Sequence, residues 1–114
     1  MKRKIKLFIG DILENMRLAE EITADIDYKT FVSVKEKHYT VVRCIEIIGE
    51  AVKNLPSELR QKYPEVPWKA MAGMRDLAIH FYMGIDYKII WKAVKDDYPV
   101  LRSQFEKIFA ELKE

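Results

Sequence analysis

The sequence predicts an all-α fold, and three observations carry that expectation. Apolar residues recur at steps of three and four along most of the chain, which puts them on one face of a helix. No run of strand length alternates apolar with polar residues. Pro56, Pro64, Pro67, Gly84 and Pro99 fall at the edges of the periodic segments, where such residues start or stop helices. The expected architecture is an antiparallel bundle of about four to five main helices with short loops. At 114 residues the chain, read as one domain over residues 1–114, can bury one core but not two.

The first helix is read over residues 4–23, striped by Ile5, Phe8, Ile9, Ile12, Leu13, Met16, Ala19 and Ile22. Asp25-Ile26-Asp27 breaks it, with Asp27 placed to cap a short turn over residues 28–32. Ser33 followed by Glu36 has capping-box spacing and opens the longest helix, residues 34–54. Val34, Val41, Val42, Ile45, Ile48, Gly49 and Val52 make its buried face. Glu46 and Glu50 stand one turn apart, usually the mark of a solvated face, though Glu50 sits beside Gly49, where a second helix could come close. Pro56 suits the first turn of a short helix through Lys62, which Pro64 ends. Pro67 starts the next helix, with Trp68, Met71, Ala72, Ile79 and Phe81 as its apolar side chains. Gly84 is a natural residue just past its end, and Asp86 a natural cap for a helix from Tyr87 to about Asp96 through Ile90, Trp91 and Val94. Asp97 then caps the last helix, with Pro99 in its first turn and Tyr98, Leu101, Phe105, Ile108 and Leu112 on its stripe.

Composition narrows the chemistry. Apolar residues are 49% and charged residues 33% of the chain, the balance of a folded domain. Twenty basic residues against eighteen acidic ones leave +2, so any contact with RNA must come from a local cluster rather than an overall basic field. Cys44 is the single cysteine; it excludes an internal disulfide, fits a reducing cytoplasm, and lies in an apolar stripe that favours a buried, inert thiol. The basic start Met1-Lys2-Arg3-Lys4-Ile5-Lys6 resembles that of a signal peptide, but the apolar run after it stops at Asp11. No window approaches the length of a membrane span, so a cytoplasmic protein without membrane contact is expected. The two histidines, His38 and His80, belong to no metal-ligand cluster: Lys35 and Leu77 stand where a Glu-x-x-His pattern needs glutamate. The four glycines form no phosphate-binding loop, and there is no Gly-x-Ser-x-Gly elbow. Hydrolysis, if the chain performs it, is expected to be acid–base chemistry without metal or cofactor.

One stretch concentrates polar chemistry: Gly73-Met74-Arg75-Asp76-Leu77-Ala78-Ile79-His80-Phe81-Tyr82-Met83-Gly84. On a helix Asp76 and His80 are i and i+4, so the carboxylate could orient the imidazole and favour its charged form. Arg75 and Tyr82 return to nearly one face, about 10 Å apart along the axis. Arg75 and His80 are about 140° apart around it and cannot lie side by side. They could flank a groove shared between helices or between subunits. The same run also fits a solvated face with a cation near the negative end of the helix.

Glu46-Ile47-Ile48-Gly49-Glu50-Ala51, Tyr63-Pro64-Glu65-Val66-Pro67-Trp68, Gly73-Met74-Arg75-Asp76 with His80 and Tyr82, and Gly84-Ile85-Asp86 with Trp91 together resemble one family. It is the HepT-like branch of the HEPN domains, the ribonuclease toxins of HepT/MntA toxin–antitoxin pairs. The similarity covers roughly residues 39–109, with the first 38 residues matching only as a helix followed by a turn. Arg-x-x-x-x-His alone is weakly specific; the full Arg-x-x-x-x-His-x-Tyr in this setting is strongly so.

The resemblance implies a helical domain that acts as a homodimer, with motifs from two protomers facing across a cleft, which removes the 140° difficulty. It implies Arg75 and His80 as the catalytic pair, Asp76 as the polar residue that often follows the arginine, and Tyr82 as the tyrosine that the nucleotidyltransferase antitoxin modifies with AMP. It implies RNA as substrate and no cofactor. The chemistry is coherent: a histidine can take or give a proton near neutral pH, and an arginine presents a charged fork to phosphate. A second reading is a non-catalytic HEPN module that docks and assists a nucleotidyltransferase, its motif then a nucleotide or partner site. A third is a purely structural helical dimer. Intact Arg75, His80 and Tyr82 favour the enzyme, since a scaffold has no chemical need for them.

Overall fold

Each apolar stripe becomes a helix that turns its stripe inward. The structure, a computed structural model, describes residues 2–79 and 87–112, with side chains from residue 4 onward. Seven α-helices follow one another among these residues: α1 (Lys2–Thr23), α2 (Tyr28–Ser33), α3 (Lys35–Lys53), α4 (Ser57–Lys62), α5 (Trp68–Ile79), α6 (Tyr87–Lys92) and α7 (Tyr98–Glu111). No strand occurs among the described residues. The all-α expectation holds.

The core lies where α3 meets α1 and α5, and where α1 meets α7. Ile9, Ile12 and Met16 from α1, Val41, Ile45 and Val52 from α3, and Phe105 from α7 are fully or almost fully buried. Helices α1 and α7 run antiparallel: Arg17 pairs with Glu106 and, one turn on, Glu20 with Arg102. Cys44 is buried as expected, and burial pushes its thiol up to about 11, far from a reactive thiolate.

Asp27 caps α2 as its position predicts, its Oδ1 accepting the Thr30 N–H at 2.8 Å. The capping box at Ser33 does not form. Ser33 ends α2, with its hydroxyl directed to the Thr30 carbonyl, and Val34 takes the cap of α3 with no side-chain hydrogen bond. The reason is local: α2 reaches one residue further than its stripe indicates, so Ser33 is spent before α3 begins. Val34, expected on the buried face, is consequently a partly exposed junction residue.

The break expected at Asp97 is also absent. The chain passes from α6 to α7 through a π-helical segment, Ala93–Asp97, and Asp97 has helical backbone angles and no side-chain cap. Pro99 explains the widening: it has no N–H, and its ring crowds the carbonyl four residues back, so the turn before it expands. Gly84 and Asp86, expected to end one helix and cap the next, lie outside the described residues, as does Phe81.

Helix α5 is anchored at its start. The Trp68 indole N–H lies 3.0 Å from the Arg60 carbonyl and 2.9 Å from that of Tyr63, and the ring meets Phe105 edge-on at 5.5 Å. The loop after α4 is thereby tied to the beginning of α5, fixing where the motif helix leaves the core.

Candidate functional site

Gly49 sets the geometry of the site. An added Cβ at this position would lie 2.4 Å from the Cβ of Arg75 and 3.3 Å from its Cα. Only a residue without a side chain lets α5 approach α3 this closely. The contact falls at Arg75, so the arginine leaves α5 directly over α3.

Arg75 is then held by charge. Its Nε lies 2.8 Å from Glu50 Oε2, the length of a charge-assisted hydrogen bond, and a terminal nitrogen is 3.5 Å from Asp76 Oδ1. The same Asp76 oxygen is 3.7 Å from Lys53 Nζ. Glu50, Arg75, Asp76 and Lys53 thus form a chain of alternating charge across α3 and α5. All of it is open to solvent; Arg75 is the most covered, with its side chain 30% exposed. Exposed pairs of this kind contribute about 0–1 kcal/mol to stability. Their consequence is where they place the guanidinium.

Arg75 lines an open groove of about 320 Å³ between α1, α3 and α5, together with Phe8, Asp11, Arg43, Glu46 and Ile79. A larger groove of about 530 Å³, mostly apolar and lined by Met71, Met74, Ile89 and Val100 among others, does not include Arg75. The smaller groove is therefore the candidate site. No group of His, Cys, Asp and Glu suited to a metal ion occurs among the described residues.

Of the residues singled out from the sequence, Arg75 and Asp76 are adjacent on α5 and in contact. His80 and Tyr82 lie outside the described residues, so their placement on the Arg75 helix stays an expectation. The partners of Asp76 among the described residues are Arg75 and Lys53. Glu50 and Lys53 were not among the expected site residues. Glu50 reads as a solvated acid by spacing, and the one signal that set it apart was its neighbour Gly49. His38 does not approach the groove: it is buried, its Nδ1 3.0 Å from the Phe31 carbonyl, with rings of Phe31, Tyr39 and Tyr87 around it.

Fold and groove define a class: a small helical protein that presents an arginine, held by a carboxylate, in an open groove of mixed charge. The comparisons give the family. The family model described as ribonuclease HepT-like matches residues 12–108. A Methanocaldococcus jannaschii protein provisionally named an RNase is 47% identical over 113 residues, which cover 99% of this chain and 97% of the relative. A second from the same organism, also provisionally named an RNase, is 46% identical over 98% of this chain and 93% of its own. The protein named "Probable ribonuclease HepT" of Thermococcus cleftensis is 45% identical over 95% of this chain and 98% of its own. No solved structure matches significantly. The chain belongs to the ribonuclease HepT-like family, and membership makes it a ribonuclease. The likeness also reaches further toward the N-terminus than the motifs indicate, since the family model begins within α1 rather than near residue 39. Helix α1 carries a buried stripe but no polar motif, which is why inspection of motifs alone missed it.

No helix among the described residues is long and apolar enough to cross a membrane.

Proposed function

We propose that this chain is the endoribonuclease toxin of a toxin–antitoxin pair, cleaving RNA at the Arg75 groove without a metal ion, with Arg75 and His80 as the catalytic pair. The observation that carries the reading is the built seat of Arg75: a glycine that admits its helix and a carboxylate that holds its inner nitrogen. Arg75 binds the scissile phosphate and neutralises charge as the 2′-oxygen attacks phosphorus. One His80 takes the 2′-hydroxyl proton. The His80 of a second protomer protonates the departing 5′-oxygen as the phosphorus–oxygen bond breaks. The products are a 2′,3′-cyclic phosphate and a 5′-hydroxyl. Asp76 supports this pair through its contact with Arg75.

The reading includes control by a nucleotidyltransferase antitoxin that adds AMP to Tyr82, within the cytoplasm. An adenylyl group near Arg75 would place a negative phosphodiester beside the cation that should hold RNA phosphate, and would fill the groove.

The test is cleavage of a structured RNA in EDTA with analysis of the product ends. His80→Ala is expected to lose on the order of 10²-fold or more in rate, the usual worth of a general acid–base group. Arg75→Ala should lose on the order of 10²–10³-fold, as loss of a preorganised charge partner does. Full activity in either variant, or wild-type cleavage abolished by EDTA, overturns the mechanism. Intact mass of protein co-expressed with the antitoxin should rise by whole adenylyl units, and that rise should vanish in Tyr82→Phe.

A further inference from the structure

We propose that Glu50 is a positioning residue for RNA cleavage: it holds Nε of Arg75 from α3, across the close contact that Gly49 permits, and so aims the terminal guanidinium nitrogens at the groove. The inference rests on the reading of Arg75 as the phosphate-binding residue and adds what holds that arginine in place.

Three observations meet at one point. Glu50 Oε2 lies 2.8 Å from Arg75 Nε, whereas the Asp76 oxygen lies 3.5 Å from a terminal nitrogen. The short bond therefore falls on the inner nitrogen, and the long one, at the limit of a hydrogen bond, on the outer edge. A guanidinium held at Nε keeps its two terminal nitrogens as a fork, the arrangement that grips a phosphate bidentately. Gly49, the residue before Glu50, brings α5 so near that the arginine's own Cβ would collide with any side chain there. Both partners project from helices in fixed contact. A flexible side chain is thereby reduced to one aim before substrate arrives, which is how positioning lowers a barrier. Glu50 itself is more than half exposed, so packing gives no reason for its identity.

The experiment compares native protein with Glu50→Ala, Glu50→Gln and Arg75→Ala in steady-state cleavage of one RNA, with circular dichroism and thermal midpoints alongside. Alanine is the best helix former, so Glu50→Ala should fold normally on an exposed face. Its kcat should fall on the order of 10–10²-fold, the cost of misplacing a catalytic group by about an ångström. KM and the thermal midpoint should change little. Glu50→Gln retains an oxygen that can accept from Nε–H and should keep most of the activity, with the pH profile unchanged in shape. The Arg75 Nε–H resonance should be sharp in native protein and in Glu50→Gln, and averaged with the other arginines in Glu50→Ala.

The outcomes separate cleanly. Full activity in Arg75→Ala removes the reading of the site on which this inference rests. Loss in Arg75→Ala with native activity and an unshifted Nε–H resonance in Glu50→Ala leaves that reading standing and overturns the positioning role. Glu50→Gln as damaged as Glu50→Ala, with one limb of the pH profile gone, would make Glu50 a proton-transfer group and overturn positioning as well.

Discussion

At the scale of single residues, Gly49 and Arg75 show how a helix crossing fixes where a side chain emerges. The sequence marks Gly49 as a place where another helix could come near, and it marks Arg75 as a cation within a motif. It does not join them, because a helical period says which face is apolar and nothing about which helix crosses it. For the same reason Glu50 looked like an ordinary solvated acid until α5 was in place. Gly49→Ala tests the crossing directly. In an open helix the change would gain about 0.5–1 kcal/mol from reduced backbone freedom. Here the new methyl meets the Cβ of Arg75 at 2.4 Å and its backbone at 3.3 Å, so α5 must shift. Overpacking of this kind costs about 1–3 kcal/mol and outweighs the gain. A lower urea midpoint and slower RNA cleavage are the expected results. An alanine variant more stable than native protein would mean that the helices do not touch there.

At the scale of elements, helices were legible wherever a long apolar stripe had to be buried, and their junctions were not. Helices α1, α3 and α7 match their stripes to within a few residues. Ser33 and Asp97 carry good capping side chains yet cap nothing: Ser33 is taken up as the last residue of α2, and Asp97 lies within continuing helical backbone. Cap propensity is worth only about 1 kcal/mol, too little at Asp97 to stop a helix whose next turn still buries apolar surface. Asp27 is the contrasting case, with a breaking sequence before it and its side chain bonded to the Thr30 N–H. Hydrogen bonding from Thr30, first from its side chain and then from its backbone N–H, lowers the Asp27 pKa below its usual 3.8. A carboxyl depressed on folding stabilises the native state above its unfolded pKa and loses that contribution as pH falls through the folded one. Asp27→Ala should therefore melt at a lower temperature than native protein near neutral pH. The gap should narrow once pH drops below about 3.8 and close in stronger acid. A gap that persists unchanged at low pH would show that the residue acts through something other than its charge.

At the scale of the whole molecule, one protomer leaves the proposed chemistry incomplete, and its surface supplies a reason to pair. The proposed cleavage gives its acid and base roles to two histidines at one phosphate, and each chain brings a single motif histidine, His80. The groove that holds Arg75 is edged by the apolar side chains Phe8, Ile47 and Ile79, partly open to solvent, and the nearby α1 exposes Leu7 at 62%. A second copy seated on this rim would cover apolar area and bring two Arg75 grooves face to face. Within α5, Trp68 and Met71 are buried in the core, while Ile79 remains partly exposed at the groove. Sedimentation of the native chain at micromolar concentration should give a dimer. Ile47→Glu, which puts a charge on the rim without touching the buried face, should shift that equilibrium toward monomer. Cleavage per protomer should fall with it and recover as protein concentration is raised, because an interface charge changes occupancy rather than chemistry. A native monomer at micromolar concentration that still cleaves at full rate would place both proton transfers within one chain, and the shared groove would have to be given up.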